Sequence, residues 1–242
     1  MTLSFPTTWL HELDALDAAW AGGDGISPAQ IAEALAEWRV RLHKPAHPAE
    51  EWFDIVDGGG EPLGLTAPRW FAHLTGLRHR VAHVYLTTPQ GLLALQMRAH
   101  DKAEWPARFD TTVGGHLKAG QDWAAGVLAE IEEEIGLPAP ASARWLVDGG
   151  LQRVGAPYER YGVDEDRVLH LRNRQINQLF SGRLSEWGLA HVHFADREVA
   201  GLYLCPPAEV QRMVEASFLT APGLRHSFAR WWAWYEGGDD SR

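Results

Sequence analysis

Residues 115–137 read GHLKAGQDWAAGVLAEIEEEIGL, and this stretch decides the fold prediction. Its second part is predicted to be a helix from Asp122 to Ile135, with Asp122 as the N-cap, Gly136 just past the end and Pro138 beyond it. Apolar residues recur there with the i, i+3, i+4, i+7 spacing of a helix that buries one face. The predicted buried stripe consists of Ala124, Val127, Leu128, Ile131 and Ile135.

Three glutamates, Glu130, Glu133 and Glu134, are spaced to form a second stripe on the same helix. Like charges at this spacing repel each other, and negative charge near a helix C-terminus opposes the helix dipole. A divalent cation with oxygen ligands would offset both effects, and Mg²⁺ bound by carboxylates usually shares its coordination with substrate phosphates. The alternative is an acidic helix face that is simply solvated.

The whole stretch resembles the Nudix box, G-x5-E-x7-R-E-U-x-E-E-x-G-U, in which U is an aliphatic residue. Two positions depart from that pattern: Gln121 replaces a glutamate and Ala129 replaces an arginine. In the Nudix family these two residues look like partners, and losing both leaves no orphan charge, so the fold is expected to stay intact. The matching positions are Gly115, Glu130, Ile131, Glu133, Glu134, Gly136 and Leu137.

The resemblance implies an α/β fold, the Nudix α/β/α sandwich with a mixed β-sheet. It also implies a hydrolase that depends on a divalent metal and cleaves a diphosphate (pyrophosphate) linkage in a nucleoside diphosphate derivative. Mg²⁺ or Mn²⁺ would be bound by the three glutamates and the carbonyl of Gly115, with Glu134 as the principal ligand. Glu130 or Glu133 would be the base. Glu198 is either a further carboxylate of the site or a plain charge at a strand edge.

Residues 50–210 resemble the branch of Nudix proteins related to isopentenyl-diphosphate isomerase. Three histidines, His73, His79 and His116, match the histidine metal ligands of that isomerase. However, Gly114 stands at the position of its catalytic cysteine, while Asn173 and Gln175 stand where its two metal-binding glutamates should be. An isomerase without its acid and base cannot move the proton. The hydrolase interpretation is therefore favoured, and isomerase activity is a weaker alternative.

Three residues outside the helix are predicted to contact the substrate. Arg98 and Lys102 follow a predicted strand where this branch carries cations that face the diphosphate, although solvated surface charge explains them equally well. His116 lies beside the expected diphosphate site. A second metal bound by His73, His79 and His116 is the less favoured interpretation of the histidines, because the two glutamates are missing.

Residues 10–42 are predicted to be helical, with Ser27 capping a helix that starts at Pro28. The prolines in residues 44–48 break this pattern, which divides the chain into an N-terminal helical extension, residues 1–48, and a Nudix domain, residues 49–238. Strands are predicted at 53–57, 81–88, 92–97, 109–113, 168–171, 176–180 and 199–204, helices at 206–216 and 224–235, and a specificity loop at 148–166.

The composition limits the partners and the compartment. The 242 residues include 22 Lys and Arg against 32 Asp and Glu, a formal net charge of −10, which disfavours nucleic-acid and membrane-surface binding. A single cysteine, the absence of an apolar run of about 18 residues and the absence of a signal pattern predict a cytoplasmic protein. The expected partner is a small-molecule diphosphate, with a homodimer allowed by the family resemblance. A catalytically silent Nudix-fold binding module remains the alternative to an enzyme.

Overall fold

The computed structural model describes residues 5–21, 25–102, 104–138, 144–164, 171–194 and 197–237. The chain divides into two compact units. The first unit contains residues 1–81, 116–121 and 157–177, and the second contains residues 82–115, 122–156 and 178–242. The N-terminal helices and the first two strands therefore share a unit. The proposed boundary at residues 44–48 stays a prediction.

The first unit begins with two helices, α1 (Thr7–Trp20) and α2 (Pro28–Arg41). The predicted N-cap of α2 is confirmed: the Ser27 hydroxyl accepts the Gln30 N–H at 3.2 Å, and the Gln30 side chain accepts the Ser27 N–H at 2.8 Å. A two-stranded antiparallel sheet, β1 (Trp52–Val56) and β2 (Pro62–Pro68), and helix α3 (Arg69–Thr75) follow. Neither β2 nor α3 is predicted from the sequence, because proline and glycine within residues 62–68 are typical of turns.

The core of the first unit is aromatic. Phe71 contacts Trp20 edge-on, with ring centroids 6.2 Å apart, and Trp38 is fully buried. Tryptophan is a large apolar side chain, which predicts that Trp38, Trp70, Trp231 and Trp232 lie in a core. Trp38 and Trp231 are buried, whereas Trp70 and Trp232 are half-buried. The core of the first unit thus combines aromatic side chains of α1, α2 and α3.

The principal sheet has seven strands: β3 (His79–Thr87), β4 (Leu93–Arg98), β5 (Phe109–Asp110), β6 (Val113–His116), β7 (Leu146–Asp164), β8 (Leu171–Leu184) and β9 (Val199–Cys205). Their order is β5-β4-β3-β8-β7, with β6 paired to β3 and β9 paired to β4. This arrangement, with flanking helices and N-terminal helices, confirms the predicted α/β fold class with an N-terminal helical extension.

Two of the predicted segments are wrong in detail. The single strand predicted over residues 109–113 is divided into β5 and β6, because the buried hydroxyls of Thr111 and Thr112 form their own bonds: Thr111 donates to the Val113 carbonyl at 3.0 Å, and Thr112 bonds to the Ala94 carbonyl. The loop predicted over residues 148–166 is largely strand β7, despite its glycines. The strand predicted at 168–171 lies outside the described residues except for its last position.

The helices of the second unit are α4 (Trp123–Ile135), α5 (Glu186–His191), α6 (Pro207–Glu215) and α7 (Pro222–Gly237). Helix α7 packs through Trp231, which stacks on Tyr85 at 4.9 Å, and through Ser227, whose hydroxyl lies 2.6 Å from the Tyr85 hydroxyl. Cys205 is buried, and burial raises the pKa of its thiol to about 11, so it behaves as a small apolar residue. Among the described helices, none has the length and hydropathy to span a membrane.

Candidate active site

Helix α4 is fixed at both ends by its own sequence. Asp122 caps the N-terminus through a bond from the Ala125 N–H to its carboxylate at 2.8 Å, and Gly136 ends the helix with φ +69°. Both predicted caps are confirmed. Val127, Ile131 and Ile135 are buried as predicted, but Ala124 is exposed and Leu128 is half-buried. Compared with the predicted stripe, the buried face of α4 is rotated so that it includes Glu134, which is only 4% exposed.

Glu134 is held by two hydrogen bonds to a single oxygen. Its Oε2 accepts the backbone N–H of Gly114 at 3.1 Å and the side-chain Nε2–H of Gln96 at 3.2 Å. Burial raises the pKa of Glu134 well above its ordinary value, and the nearby carboxylates of Glu130, Asp110 and Glu198 raise that pKa further. A bound cation would reverse this preference and stabilise the ionised carboxylate.

Glu130 lies directly against the backbone of Gly115 on β6. A Cβ atom built on Gly115 would overlap the Glu130 carboxylate, so only glycine leaves space for this carboxylate at that position. Glu130 is half-buried, whereas Glu133 is exposed on the helix surface. The structure therefore brings Glu130 and Glu134 to the glycine pair of β6 and leaves Glu133 nearer to solvent.

The donor set around these glycines fits Mg²⁺ or Mn²⁺. The carboxylates of Glu130 and Glu134 offer hard oxygen ligands, the type that both ions prefer, and the family resemblance implies the Gly115 carbonyl as a further one. The excess of buried and half-buried negative charge in this part of the second unit is the electrostatic condition that a divalent ion relieves.

Arg98 and Lys102 both have partners within the second unit. Arg98 donates to the Glu104 carbonyl at 2.8 Å and lies 3.5 Å from the Asp110 carboxylate. Lys102 forms an ion pair with Glu198, whose side chain is half exposed. Arg98 and Lys102 are thus paired with Asp110 and Glu198, two of the carboxylates that raise the pKa of Glu134.

Sequence reasoning missed two residues of this region, Gln96 and Asp110. Asp110 accepts backbone N–H groups from Thr111 at 2.9 Å and from Leu224 at 3.0 Å. Gln96 is 1% exposed in the otherwise apolar first part of β4. The amide of Gln96 in an apolar strand could have indicated this residue, because a buried amide requires a hydrogen-bond partner.

The three matched histidines form a cluster within the first unit. Ligand atoms of His73, His79 and His116 all lie within 4.8 Å of one another, and His116 stacks on Phe53 with ring centroids 5.0 Å apart. His73 Nε2 and His79 Nε2 are 3.2 Å apart, and His79 Nδ1 lies 2.9 Å from the Leu77 carbonyl. Imidazole nitrogens arranged in this way could hold a transition-metal ion.

The two positions where the isomerase carries glutamates bear amides here. Gln175 is buried and Asn173 is half-buried on β8. An amide carries no negative charge, so these two positions do not supply the carboxylate ligands that the isomerase resemblance implies.

Burial gives the histidine cluster a pH-dependent stability. Desolvation lowers the pKa of His79 from 6.5 to about 4, and it lowers the pKa of His73 as well. Because the pKa of His79 is lower in the folded than in the unfolded state, protonation below pH 6.5 favours the unfolded state. The fold therefore keeps the full contribution of neutral His79 above pH 6.5 and loses it as the pH falls towards 4. From His79 alone we expect the free energy of unfolding to decrease by roughly 3 kcal/mol over this window.

Urea unfolding between pH 7 and pH 4 measures this effect, with His79→Gln as the comparison. The variant should be less stable at pH 7 and should lose less stability on acidification than the wild type. Equal losses in the two proteins would show that His79 is not responsible.

The comparisons with known proteins establish the family of the chain. A family model described as the NUDIX domain matches residues 77–224. The chain is 33% identical to an uncharacterised Nudix hydrolase of Streptomyces coelicolor over 153 residues, covering 57% of this chain and 82% of that protein. It is 30% identical to an isopentenyl-diphosphate Delta-isomerase of Streptomyces griseus over 185 residues, covering 75% and 78% of the two chains.

A shorter match has higher identity. Over 98 residues the chain is 40% identical to Nudix hydrolase 3 of Arabidopsis thaliana, which covers 39% of this chain but only 12% of that protein. Among solved structures, the Deinococcus radiodurans protein DR0079 superposes with a TM-score of 0.55 at 20% identity, covering 74% of this chain and 98% of that one. That likeness confirms the predicted Nudix α/β/α sandwich. Since the domain model matches more than half of the chain, the protein belongs to the Nudix hydrolase family.

Proposed function

We propose that the protein is a divalent-metal-dependent diphosphohydrolase that cleaves a diphosphate linkage in a nucleoside diphosphate derivative. The observation that carries this proposal is the position of Glu130 and Glu134 against Gly114 and Gly115 of β6. These carboxylates belong to the box that identifies the family. The relatives named as Nudix hydrolases support the same class of reaction.

The proposed roles are metal binding, support of a metal ligand and proton transfer. Glu130, Glu133, Glu134 and the Gly115 carbonyl would hold Mg²⁺ or Mn²⁺, which when bound neutralises phosphate charge and lowers the pKa of water. Hydrogen bonds from Gly114 and Gln96 fix the Glu134 carboxylate. Glu130 or Glu133 accepts the proton of the attacking water. The new bond joins water oxygen to phosphorus, and the anhydride P–O bond breaks to release the phosphate leaving group.

Substrate binding is assigned to Arg98 and Lys102 of the second unit, whereas His116 belongs to the histidine cluster of the first unit and its contact with substrate stays a prediction. Arg98 and Lys102 would exchange part of their contact with Asp110 and Glu198 for phosphate oxygens, which are strong acceptors for both cations. The net charge of −10 makes such local cations necessary for an anionic substrate. The same charge disfavours nucleic-acid binding. A cytoplasmic location is proposed from the cysteine usage of the sequence, and a homodimer from the family resemblance alone.

The altered box positions are compatible with activity. The Gln121 side-chain oxygen accepts the Lys118 N–H at 2.8 Å, and the backbone carbonyl of Gln121 accepts a bond from the Arg80 side chain at 2.7 Å. The loop before α4 is therefore held by neutral and backbone acceptors without the usual glutamate. An active enzyme requires this loop to be held in place, so the altered position is compatible with catalysis.

The environment of Gly114 supports a hydrolase over an isomerase. A Cβ atom at Gly114 would lie 3.0 Å from Thr111 Oγ1 and 3.2 Å from His83 Nδ1. These are tight contacts, so a cysteine side chain at this position would require its neighbours to move. Solvent deuterium should therefore not enter isopentenyl diphosphate in the presence of the protein, and its incorporation would favour the isomerase.

A substrate panel tests the proposal. Nucleoside diphosphates and triphosphates, sugar nucleotides, dinucleotides and isoprenoid diphosphates are incubated with Mg²⁺ or Mn²⁺, and release of phosphate or nucleoside monophosphate is followed. We expect turnover of at least one nucleoside diphosphate derivative. A folded protein that binds a nucleotide of the panel but turns over none at any metal concentration would establish the binding module instead.

A further inference from the structure

We propose that Gln96 is a positioning residue that orients Glu134 for binding the divalent cation. The inference rests on the proposed function, since it concerns the carboxylate that would be the principal metal ligand. It extends the site from α4 and β6 to β4, a strand outside the Nudix box.

The backbone of Gln96 is fixed on β4. In the sheet register, Gln96 pairs with Asp110 of β5 and with Leu202 of β9, both antiparallel. The side chain is 1% exposed, so it samples few rotamers and reaches Glu134 from a rigid strand. Its Nε2–H donates to Glu134 Oε2 at 3.2 Å.

The two donors on Glu134 act on the same oxygen. Gly114 N–H and Gln96 Nε2–H both bond to Oε2, so the carboxylate plane is defined by two contacts from two different strands. Such contacts leave Oε1 as the oxygen available to a cation. Hydrogen bonds to the outer face of a ligating carboxylate set both its orientation and its metal affinity.

An apolar side chain would otherwise suit this position. Leu93, Ala94 and Leu95, which precede Gln96 on β4, are fully buried, and burying an amide is unfavourable unless it is hydrogen-bonded. The amide also donates without carrying charge, so it stabilises ionised Glu134 without competing for the cation. A lysine or arginine at this position would repel the ion that Glu134 is meant to bind.

The test measures binding of Mn²⁺ alone, without substrate, by the electron paramagnetic resonance signal of the free ion. The variant is Gln96→Met, which keeps the length of the side chain and removes only the amide. We expect its Kd for Mn²⁺ to rise by roughly 10-fold to 100-fold, the range found when such supporting contacts are removed. The matched control is Gln90→Met, because Gln90 makes the same kind of amide-to-carboxylate bond, to Glu186 at 3.0 Å, but on the surface.

The outcomes separate this inference from the proposed function. If the wild type binds no Mn²⁺, both are wrong. If the wild type binds Mn²⁺ and Gln96→Met binds it equally well, only the role of Gln96 is wrong. If Gln96→Met does not fold, the side-chain amide resonances of Gln96 in the wild type are followed instead during Mg²⁺ addition. A shift that saturates with Mg²⁺ supports the inference, and unchanged resonances contradict it.

Discussion

Replacing Glu134 with glutamine should reduce turnover by about 100-fold or more while leaving the protein folded. The amide can still accept the bonds from Gly114 and Gln96 through its oxygen. It is also neutral, and burial already favours the neutral form of the Glu134 carboxyl group. What is lost is the negative charge that binds the cation. Initial rates with saturating Mg²⁺, together with thermal unfolding of the same preparation, measure both effects.

Glu132→Gln is the matched control for this substitution. Glu132 is on the same helix and is exposed, so the same chemical change should leave the rate within about twofold of the wild type. A Glu134→Gln protein with unchanged turnover would contradict the assignment of Glu134. A large loss in both variants would show that the negative charge of the helix as a whole matters more than one ligand.

The second large effect is expected for Gly115→Ala. The added methyl group would overlap the Glu130 carboxylate, which is the flexible end of a side chain and can turn away at little cost to the fold. Stability should therefore change by less than about 1 kcal/mol, because only a partly exposed side chain moves. Turnover should fall by roughly 100-fold, since displacing a catalytic group by about 1 Å has effects of this size.

Gly201→Ala on β9 provides the comparison, because a Cβ atom there would meet nothing within 4 Å. Its turnover should match that of the wild type. Wild-type turnover in Gly115→Ala would mean that the position of Glu130 beside β6 is unimportant for the reaction. A loss of folding instead of turnover would mean that this glycine serves only the packing of the second unit.

Local chemistry made much of this fold predictable. The caps of α2 and α4 depend on side chains within three residues of the helix start, so Ser27 and Asp122 could be identified from the sequence. Strands with an alternating or continuous apolar pattern, such as β3 and β4, were equally readable. Strand β7 was not, because glycines at 149, 150, 155 and 162 are typical of loops, whereas here they lie in a strand that pairs with β8.

The candidate site was predictable only in part, because one of its contacts joins residues that are far apart in the sequence. The glutamates of α4 lie within one helix and follow a known spacing, so sequence reasoning could name them. The bond from Gln96 to Glu134 joins residues 38 positions apart. The burial of Glu134 could not be read from a pattern that counted it among the polar residues. Its pKa, raised mainly by that burial, was therefore not foreseen.

Removing and restoring the metal is the most direct test of the central claim, that the carboxylates at the β6 glycines support hydrolysis of a diphosphate. The protein is treated with EDTA and desalted, and its turnover of the best substrate is measured before and after addition of Mg²⁺ or Mn²⁺. We predict that turnover disappears with EDTA and returns in a saturable manner in the wild type, but not in Glu134→Gln. Turnover that persists without any divalent ion, or that returns equally in the variant, would contradict the account.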